Sequence, residues 1–304
     1  MPGRVHRKEG SSRMMLLARA MAARVTRQVF AGFLAAALLL PGRPASASMM
    51  EDQGWSKEDK ALALNVGTGI LALGWGVWSW DWGTGGPRFQ DEGWFGRSTT
   101  EGGADKIGHA WTGYAISHLL ARQYQSWGFT QTDSARYGAL SSLGIMGLVE
   151  VGDAFSDDYG FSYQDMLFNT VGAVAGYILW DNPELARKVD FRVEYNPFSG
   201  GDKYQADVFT DYRRLKYLLA VKADGFDAIQ DPLLRHLEFH VGFYARGYED
   251  YSTNPSRDDR SQYFYLGIGL NLTRLLSPHV KTGGVFHYIQ PPYTYISKDW
   301  RIAP

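Results

Sequence analysis

Several residues with chemically active side chains stand at the ends of apolar stretches of this chain. Asp105 and His109 are four residues apart, so they share one face of a helix, and Lys106 lies one step round it. A histidine beside carboxylates suits general acid/base catalysis or a hard divalent ion, and a lysine can stabilise an anion. The full set is Asp105, Lys106, His109, Glu150, Asp153, Asp165 and Asn169.

Three interpretations of this set stay open at the level of sequence. In an enzyme, His109 would be the base or a metal ligand and Lys106 would stabilise an anion, while Asp105, Glu150 and Asp165 would orient or ligate. In a binding or structural site, Asp153 and Asn169 would belong to the same polar cluster. In the third interpretation the groups form a self-satisfied ion-pair network that pins helices together.

Two of the acids also have purely local explanations. Asp105 would interact favourably with the positive end of a helix dipole. Asp165 follows Ser162 by three residues, which is the N-terminal capping pattern. The acids Glu150 and Asp153 stand instead at a helix C-terminus, where the dipole is unfavourable, so we expect Lys106 or His109 to compensate them.

Apolar segments predict the helices that must position these groups. Residues 61–80 contain no charge over 20 residues, which is enough to cross a bilayer as a helix. The segments 107–121, 137–149 and 166–180 each extend, with their flanks, to about 20 residues. Up-down connectivity would bring the ends near residues 105, 150 and 165 together. In the last segment Gly172 and Gly176 permit a close helix crossing.

A tryptophan cluster follows the first of these segments. It fits the interfacial zone of a membrane, where an indole keeps its N–H in water and its rings in hydrocarbon. The alternative is the edge of a soluble core that is rich in tryptophan. The cluster comprises Trp75, Trp78, Trp80, Trp82 and Trp94.

The pattern changes to alternation in the second half of the chain. Residues 190–198, 237–248 and 262–273 alternate like strands, 215–223 fits a strand or a helix, and 283–290 adds a strand. The predicted fold is mainly α with appended β. An apolar, membrane-associated bundle of about four helices at 48–185 would be followed by a small antiparallel sheet of four or five strands at 186–304.

The N-terminal segment predicts export. A basic region precedes the apolar run 29–42, and Ala-Ser-Ala at 45–47 matches a cleavage site, so we expect a signal peptide at 1–47. The alternative is an uncleaved N-terminal anchor. Residues 1–47 hold eight Lys/Arg and one acid, so residues 48–304 carry a net charge of −8. Such an acidic exported chain is a poor candidate for binding nucleic acid.

The chain contains no cysteine. This excludes disulfide bonds, thiolate metal sites, a cysteine nucleophile and a lipid attached to an N-terminal cysteine.

The order of the polar motifs resembles the YfiM-like family of predicted periplasmic lipoproteins of unknown function, over roughly residues 60 to 275. The matching motifs are DKIGH at 105–109, E-x-x-D at 150–153, GFSYQD at 160–165 and N-T-x-G at 169–172. The chain departs from the lipoprotein pattern because it lacks the lipid-bearing cysteine, so anchoring would fall to its helices or leader.

A looser similarity links this chain to VanZ-like membrane proteins, which carry a D-K-x-x-H … E … D-x-x-x-N-x-x-G pattern on transmembrane helices. The positions that match are Asp105, Lys106, His109, Glu150, Asp165, Asn169, Gly172 and Gly176. That family is associated with glycopeptide resistance, and the resemblance implies a membrane location without a defined reaction.

These observations predict an uncharacterised exported protein of the bacterial envelope, periplasmic and associated with or embedded in a membrane. Its polar cluster would organise the bundle and bind an envelope ligand, with membrane lipid or other envelope components as partners and no nucleic acid. One alternative is a metal-assisted or acid/base hydrolase that acts on an envelope lipid, phosphate ester or glycan, with a divalent metal as its cofactor. The other is a non-catalytic scaffold in an envelope complex.

Overall fold

The computed structural model describes residues 54–199, 210–248, 258–276 and 283–303, and the expected signal peptide lies outside them. Four long helices and then a sheet confirm the predicted fold class. The helices are α1 (Lys57–Ser79), α2 (Ala104–Ser126), α3 (Gln131–Asp153), α4 (Tyr163–Asp181), α5 (Pro183–Ala186) and α6 (Leu272–Leu276).

Side-chain caps fix where three of the long helices begin. The Thr130 hydroxyl accepts a hydrogen bond from the Asp133 backbone N–H at 3.1 Å, and the Ser162 hydroxyl accepts one from the Asp165 N–H at 3.2 Å. Ser56 caps α1 in the same way. Each cap satisfies a backbone donor that has no partner within its helix. The capping pattern predicted at Ser162 is therefore present.

The central helix of the bundle is α2, which packs against α3 and α4. A Cβ atom on Gly172 would lie 2.0 Å from the Ala110 carbonyl oxygen, and one on Gly176 would lie 2.6 Å from Ser117 Oγ. The α2 and α4 backbones thus approach more closely than a larger residue would allow, at the two glycines that the sequence points to.

A six-stranded sheet follows the bundle, in the order β5-β1-β2-β3-β4-β6. All of its pairings are antiparallel except β5 with β1, which is parallel. The strands are β1 (Val189–Tyr195), β2 (Leu215–Lys222), β3 (Leu237–Arg246), β4 (Ser261–Leu270), β5 (Ile289–Gln290) and β6 (Tyr295–Ala303).

This sheet corrects the predicted one in two respects. The strand expected at 283–290 shrinks to Ile289–Gln290, because Gly283–His287 forms a 3₁₀ turn. A further strand, β6, follows the Pro291-Pro292 pair, where the sequence suggests a stop. Proline lacks the N–H that a sheet ladder needs, but these two prolines occupy the connection and leave β6 free to pair with β4.

One face of α2 packs on the start of the sheet. Trp111 and Tyr114 lie in a common core with Val193, Leu215 and Tyr217, all of them buried. The sheet therefore rests on the helix that also contacts α3 and α4.

Helix α1 is the most exposed of the four. Within the described part of the chain it is the one helix long and apolar enough to cross a membrane by length and composition, and only 6% of its most apolar stretch is buried. It joins the bundle through Asn65, whose side-chain amide donates to the Tyr124 hydroxyl at 2.8 Å. Leu62, Ile70 and Val77 are each more than half exposed.

The tryptophan cluster after α1 is divided between core and surface. Trp82 is buried, and its indole N–H donates to Asp153 Oδ1 at 2.7 Å. Trp78 and Trp94 are exposed, by 62% and 42%. Each of the two interpretations of this cluster therefore describes part of it.

Candidate functional site around Lys106 and His109

The lysine of the D-K-x-x-H motif is completely buried. Lys106 Nζ lies 2.5 Å from Glu92 Oε2, 2.7 Å from Asp105 Oδ2 and 2.7 Å from Asp165 Oδ1. These carboxylates come from the loop before α2, from α2 itself and from the first turn of α4. A single ammonium group therefore ties three parts of the chain together, and each contact is a charge-assisted hydrogen bond or ion pair.

His109 lies one helical turn further along α2 and faces α4 and α3. Its Nδ1 lies 3.0 Å from Asn169 Oδ1 and 3.6 Å from Glu150 Oε1, and its Nε2 lies 3.9 Å from Asp165 Oδ2. An amide oxygen only accepts, so Nδ1 carries the proton in the contact with Asn169. The His109 side chain is 23% exposed while that of Glu150 is 3% exposed, so His109 forms the open edge of the cluster.

The two acids at the end of α3 are compensated by different groups. Glu150 Oε1 accepts from the Asn169 side-chain N–H at 3.3 Å, and its Oε2 accepts from the Ser162 backbone N–H at 3.4 Å. Of the two cations expected to compensate Glu150, His109 is the one beside it, because Lys106 pairs with other carboxylates. Asp153 receives the Trp82 indole N–H instead.

The backbone entering α2 places Glu92 over the lysine. Gly102 and Gly103 have φ of +62° and +81°, in the left-handed region that glycine adopts without strain. A Cβ atom on Gly103 would lie 2.3 Å from the Phe95 ring, so the loop passes too close for any side chain here. This turn sends the preceding loop back across the first turn of α2, where Glu92 reaches Lys106.

Burial and mutual contact drive the pKa values of two of the acids in opposite directions. Burial and the contact with Asp165 together raise the pKa of Glu92 to about 7, against the lowering effect of Lys106. Burial also opposes the ionised form of Asp165, but His109, Glu92 and Lys106 outweigh this and lower the Asp165 pKa. Glu92 is therefore the partner that holds a proton near neutral pH, and Asp165 stays ionised.

Three further groups of the cluster have shifted pKa values. Burial raises the pKa of Glu150 to about 7 against the opposing charge of His109, and raises that of Asp153 to about 6. Burial lowers the pKa of His109, but the charges of Asp165 and Glu150 exceed this effect and raise it overall. The cluster thus combines an ionised acid with protonatable acids, as acid/base sites do.

Two sets of side chains offer oxygen or nitrogen atoms in an arrangement that could hold a metal ion. His109, Glu150 and Asp165 each present one ligand atom within 4.8 Å of the others, and Glu92, Asp105 and Asp165 do the same. Imidazole and carboxylate ligands suit divalent ions of intermediate to hard character. All three carboxylates of the second set pair with Lys106, whereas His109 and Glu150 do not, so the set with His109 has the more available ligands.

Three other histidines lie apart from this cluster. His118 is buried, with its ring nitrogens 3.0 Å from the Tyr288 hydroxyl and 3.1 Å from the Gly176 carbonyl oxygen, beside a cavity of about 300 Å³. His240 lies inside the sheet against Glu238 at 2.8 Å, and His236 contacts the Pro232 carbonyl. None of the three belongs to a metal-ligating group among the described residues.

Six of the seven polar residues singled out in the sequence are joined by direct contacts at one end of the bundle, and Asp153 lies near enough for its charge to act on Glu150. Glu92 and Trp82 are the members that sequence reasoning missed. Both stand in the irregular segment between α1 and α2, where no periodicity predicts which side chain turns inward. The only local signal was a pair of acids, Asp91 and Glu92, in a loop rich in glycine.

One comparison with known proteins gives a match. Residues 91–181, which contain the loop with Glu92 and helices α2 to α4, match the family described as "Predicted periplasmic lipoprotein (DUF2279)". This similarity supports an exported, periplasmic protein of a family without a known function. It supports neither the YfiM name nor the similarity to VanZ-like proteins that the sequence motifs suggest. Searches among curated proteins and among solved structures gave no match.

Proposed function

We propose that this is an exported envelope protein held at a membrane by α1, whose Lys106–His109 cluster organises the bundle and binds a cationic envelope ligand at its open edge. The periplasmic location follows the family similarity of residues 91–181. The membrane anchor is supported by the exposed apolar surface of α1 and by its length. The chain has no cysteine that could carry a lipid in its place.

One observation carries the organising role: the fully buried Lys106 ammonium is shared by Glu92, Asp105 and Asp165. Removing one partner from a buried ion pair leaves uncompensated charge and typically lowers stability by about 3–5 kcal/mol. Because these partners belong to different elements, the loss would release the loop from α2 and α2 from α4 together.

The balance of charge supports a cationic ligand. The cluster contains five acids and two bases, and Glu92, Asp105 and His109 keep 21%, 15% and 23% of their side chains exposed on its outer edge. Burial raises the pKa values of Glu92 and Glu150, so both hold protons near neutral pH, and a cation at this edge would displace those protons. The acids are Glu92, Asp105, Glu150, Asp153 and Asp165, and the bases are Lys106 and His109.

The test of the organising role is Lys106→Met, which keeps the aliphatic chain and removes the charge. We expect the free energy of unfolding to fall by about 3–5 kcal/mol, measured by urea titration of tryptophan fluorescence in one detergent. Arg187→Met is the control, because Arg187 contacts Glu184 and Asp227 on the surface and should change stability little.

A second variant keeps this test decisive if Lys106→Met does not fold. Asp165 is the partner that stays ionised, so Asp165→Asn in the Lys106→Met background removes a stranded negative charge and should restore part of the lost stability. If Lys106→Met matches the Arg187→Met control, or if Asp165→Asn makes the variant less stable still, the buried lysine does not organise the bundle.

A second candidate function is a metal-assisted hydrolase that acts on an envelope phosphate ester. The observation in its favour is the convergence of His109, Glu150 and Asp165 within 4.8 Å, at the cluster's one partly exposed imidazole. A divalent ion there would polarise a phosphoryl oxygen and activate water. Glu92, with a pKa of about 7, has the protonation behaviour that a general acid or base needs.

Manganese binding separates the two candidates. Mn²⁺ is titrated into the purified full chain and followed by electron paramagnetic resonance, and phosphate release from phosphatidic acid vesicles is measured in parallel. The hydrolase requires both signals, and both should vanish in His109→Ala while the exposed His236→Ala keeps them. Binding without phosphate release supports the ligand-binding function, and neither signal in the wild type rejects the hydrolase.

A further inference from the structure

The sheet has its polarity reversed relative to that of a water-soluble protein. Its inner face, which carries Asp190, Arg192, Lys222, Glu238 and His240, is buried. Arg192 pairs with Asp190 at 2.5 Å and with Glu238 at 2.7 Å. Lys222 pairs with Asp190 at 2.6 Å and His240 with Glu238 at 2.8 Å. Charged side chains are almost never enclosed unless paired, and here a whole network is enclosed.

The enclosure follows from the way the sheet curls. Strands β5 and β6 lie at opposite edges of the six-stranded sheet, yet only residues 291–294 connect them. Five strand spacings of about 4.8 Å would separate the edges of a flat sheet by roughly 24 Å, which is more than these four residues can span comfortably. Lys216 of β2 also reaches the Tyr295 hydroxyl of β6 at 3.3 Å, across the inner face.

The outer face of this curled sheet is apolar, and it is open beyond the part that α2 covers at Val193, Leu215 and Tyr217. Phe239, Ile268 and Ile296 are register partners on β3, β4 and β6, and they are 42%, 52% and 79% exposed. Leu219 and Trp300 extend the same surface and are 46% and 45% exposed. Along the outward positions of β6 the one charged residue is Lys298.

Strand length and the distribution of apolar surface both favour lipid as the occupant of this face. Strands β3 and β4 have ten residues each and β6 has nine, the length at which tilted strands cross the hydrocarbon of a bilayer. A single protein partner would cover one patch, whereas exposed apolar side chains also line α1 and the outer side of α4, at Leu167, Val171 and Val174.

We propose that the outer face of the curled sheet, centred on Phe239, Ile268 and Ile296, lies against the acyl chains of a membrane. Apolar residues outside and paired charges inside are the arrangement that a lipid solvent selects. The inference rests on the membrane location in the proposed function but not on α1, since the sheet would be a second, independent region of lipid contact.

Two adjacent residues of β6 provide a matched test, and the absence of native cysteine makes single-cysteine variants clean. Ile296 is on the outer face, and Ser297 is exposed on the opposite face, where it contacts Asp299. Ile296→Cys and Ser297→Cys carry a nitroxide in full-length protein reconstituted into vesicles of phosphatidylethanolamine and phosphatidylglycerol. Ile70→Cys on α1 reports the helical anchor separately.

We expect the ratio of oxygen to water-soluble nickel accessibility at Ile296→Cys to exceed that at Ser297→Cys several-fold, because oxygen partitions into hydrocarbon and nickel complexes do not. Equal nickel access at both positions places the face in water and overturns the inference. If Ile70→Cys still reports lipid in that case, the anchor stands and only the sheet contact fails. A label at Ile296→Cys shielded from both reagents indicates a protein partner, and added spin–spin broadening identifies it as a second copy.

Discussion

Replacing Glu150 by glutamine should remove a pH-dependent penalty that the fold carries near neutrality. Glu150 is 2% exposed, and burial raises its pKa from 4.5 to about 7 despite the nearby His109. Between these two values the unfolded chain has lost the proton while the folded chain keeps it. Glutamine has nearly the same shape and cannot ionise. It keeps one acceptor oxygen for the Ser162 and Asn169 N–H groups, so the loss of the other acceptor lowers its stability by the same amount at every pH.

The sign and size of the effect follow from proton linkage. The folded state binds more protons than the unfolded state, so the free energy of unfolding of the wild type falls as pH rises from about 4.5 to 7. One pKa unit corresponds to about 1.4 kcal/mol, so the decline between pH 5.5 and 8 should be about 2 kcal/mol. In Glu150→Gln this part of the decline disappears, and the variant becomes more stable than the wild type at pH 8.

The assay is urea unfolding of the full chain, followed by far-ultraviolet circular dichroism at pH 5.5, 6.5 and 8 in one detergent. Glu184→Gln makes the same substitution at an exposed site and should leave the wild-type profile unchanged. The raised pKa of His109 acts in the same direction, because the stability it contributes at low pH is lost as pH rises, and the charge of Asp165 preserves part of this decline in Glu150→Gln. If Glu150→Gln is destabilised equally at all three values, Glu150 is ionised throughout and the reasoning fails.

Three other substitutions test how the helices hold the cluster. Gly172→Ala should lower the free energy of unfolding by about 1–3 kcal/mol or more, because its Cβ would lie 2.0 Å from the Ala110 carbonyl oxygen. Gly144→Ala on α3 is its control, since nothing lies within 4 Å, and thermal unfolding should show it unchanged or more stable. Ser162→Ala should cost about 1 kcal/mol through loss of the α4 cap, seen as a lower urea midpoint at constant slope. Trp82→Phe removes the hydrogen bond that favours ionised Asp153, so the Asp153 pKa should rise above about 6 in a carbon-13 carboxyl titration, and an unchanged value would assign the shift to other groups.

The helices were accessible from the sequence because long charge-free segments and local caps carry the signal. Ser162 and Asp165 form the expected cap, and the glycines at 172 and 176 lie where two backbones meet. Strand β6 was not predicted because a proline pair precedes it and Lys298 interrupts its outward apolar positions. Strand β5 has only two residues, which is too short for any periodicity.

The sequence predicts which helix ends carry the site residues, but it does not predict how each helix is rotated about its own axis. Connections of four and nine residues join α2 to α3 and α3 to α4, so the start of α2, the end of α3 and the start of α4 must lie at one end of the bundle. Which cation meets which acid depends on helix rotation, and the expected choice between Lys106 and His109 for Glu150 could not be made beforehand. The position of Glu92 depends on Gly102 and Gly103, whose positive φ angles turn the loop back onto α2. Local sequence does not show where such a turn directs the chain.

Both halves of the chain bury cationic side chains and enclose them with carboxylates. In the bundle Lys106 is enclosed by acids at the helix ends, and in the sheet Arg192 is enclosed by Asp190 and Glu238. Burying a charge is unfavourable in any environment, so water would favour turning these groups outward and the apolar ones inward. At a surface in contact with lipid the preference is reversed, because exposed apolar groups are favourable there and exposed charges are unfavourable. The membrane environment that we propose would therefore account for the enclosed ion pairs and the open apolar faces with a single cause.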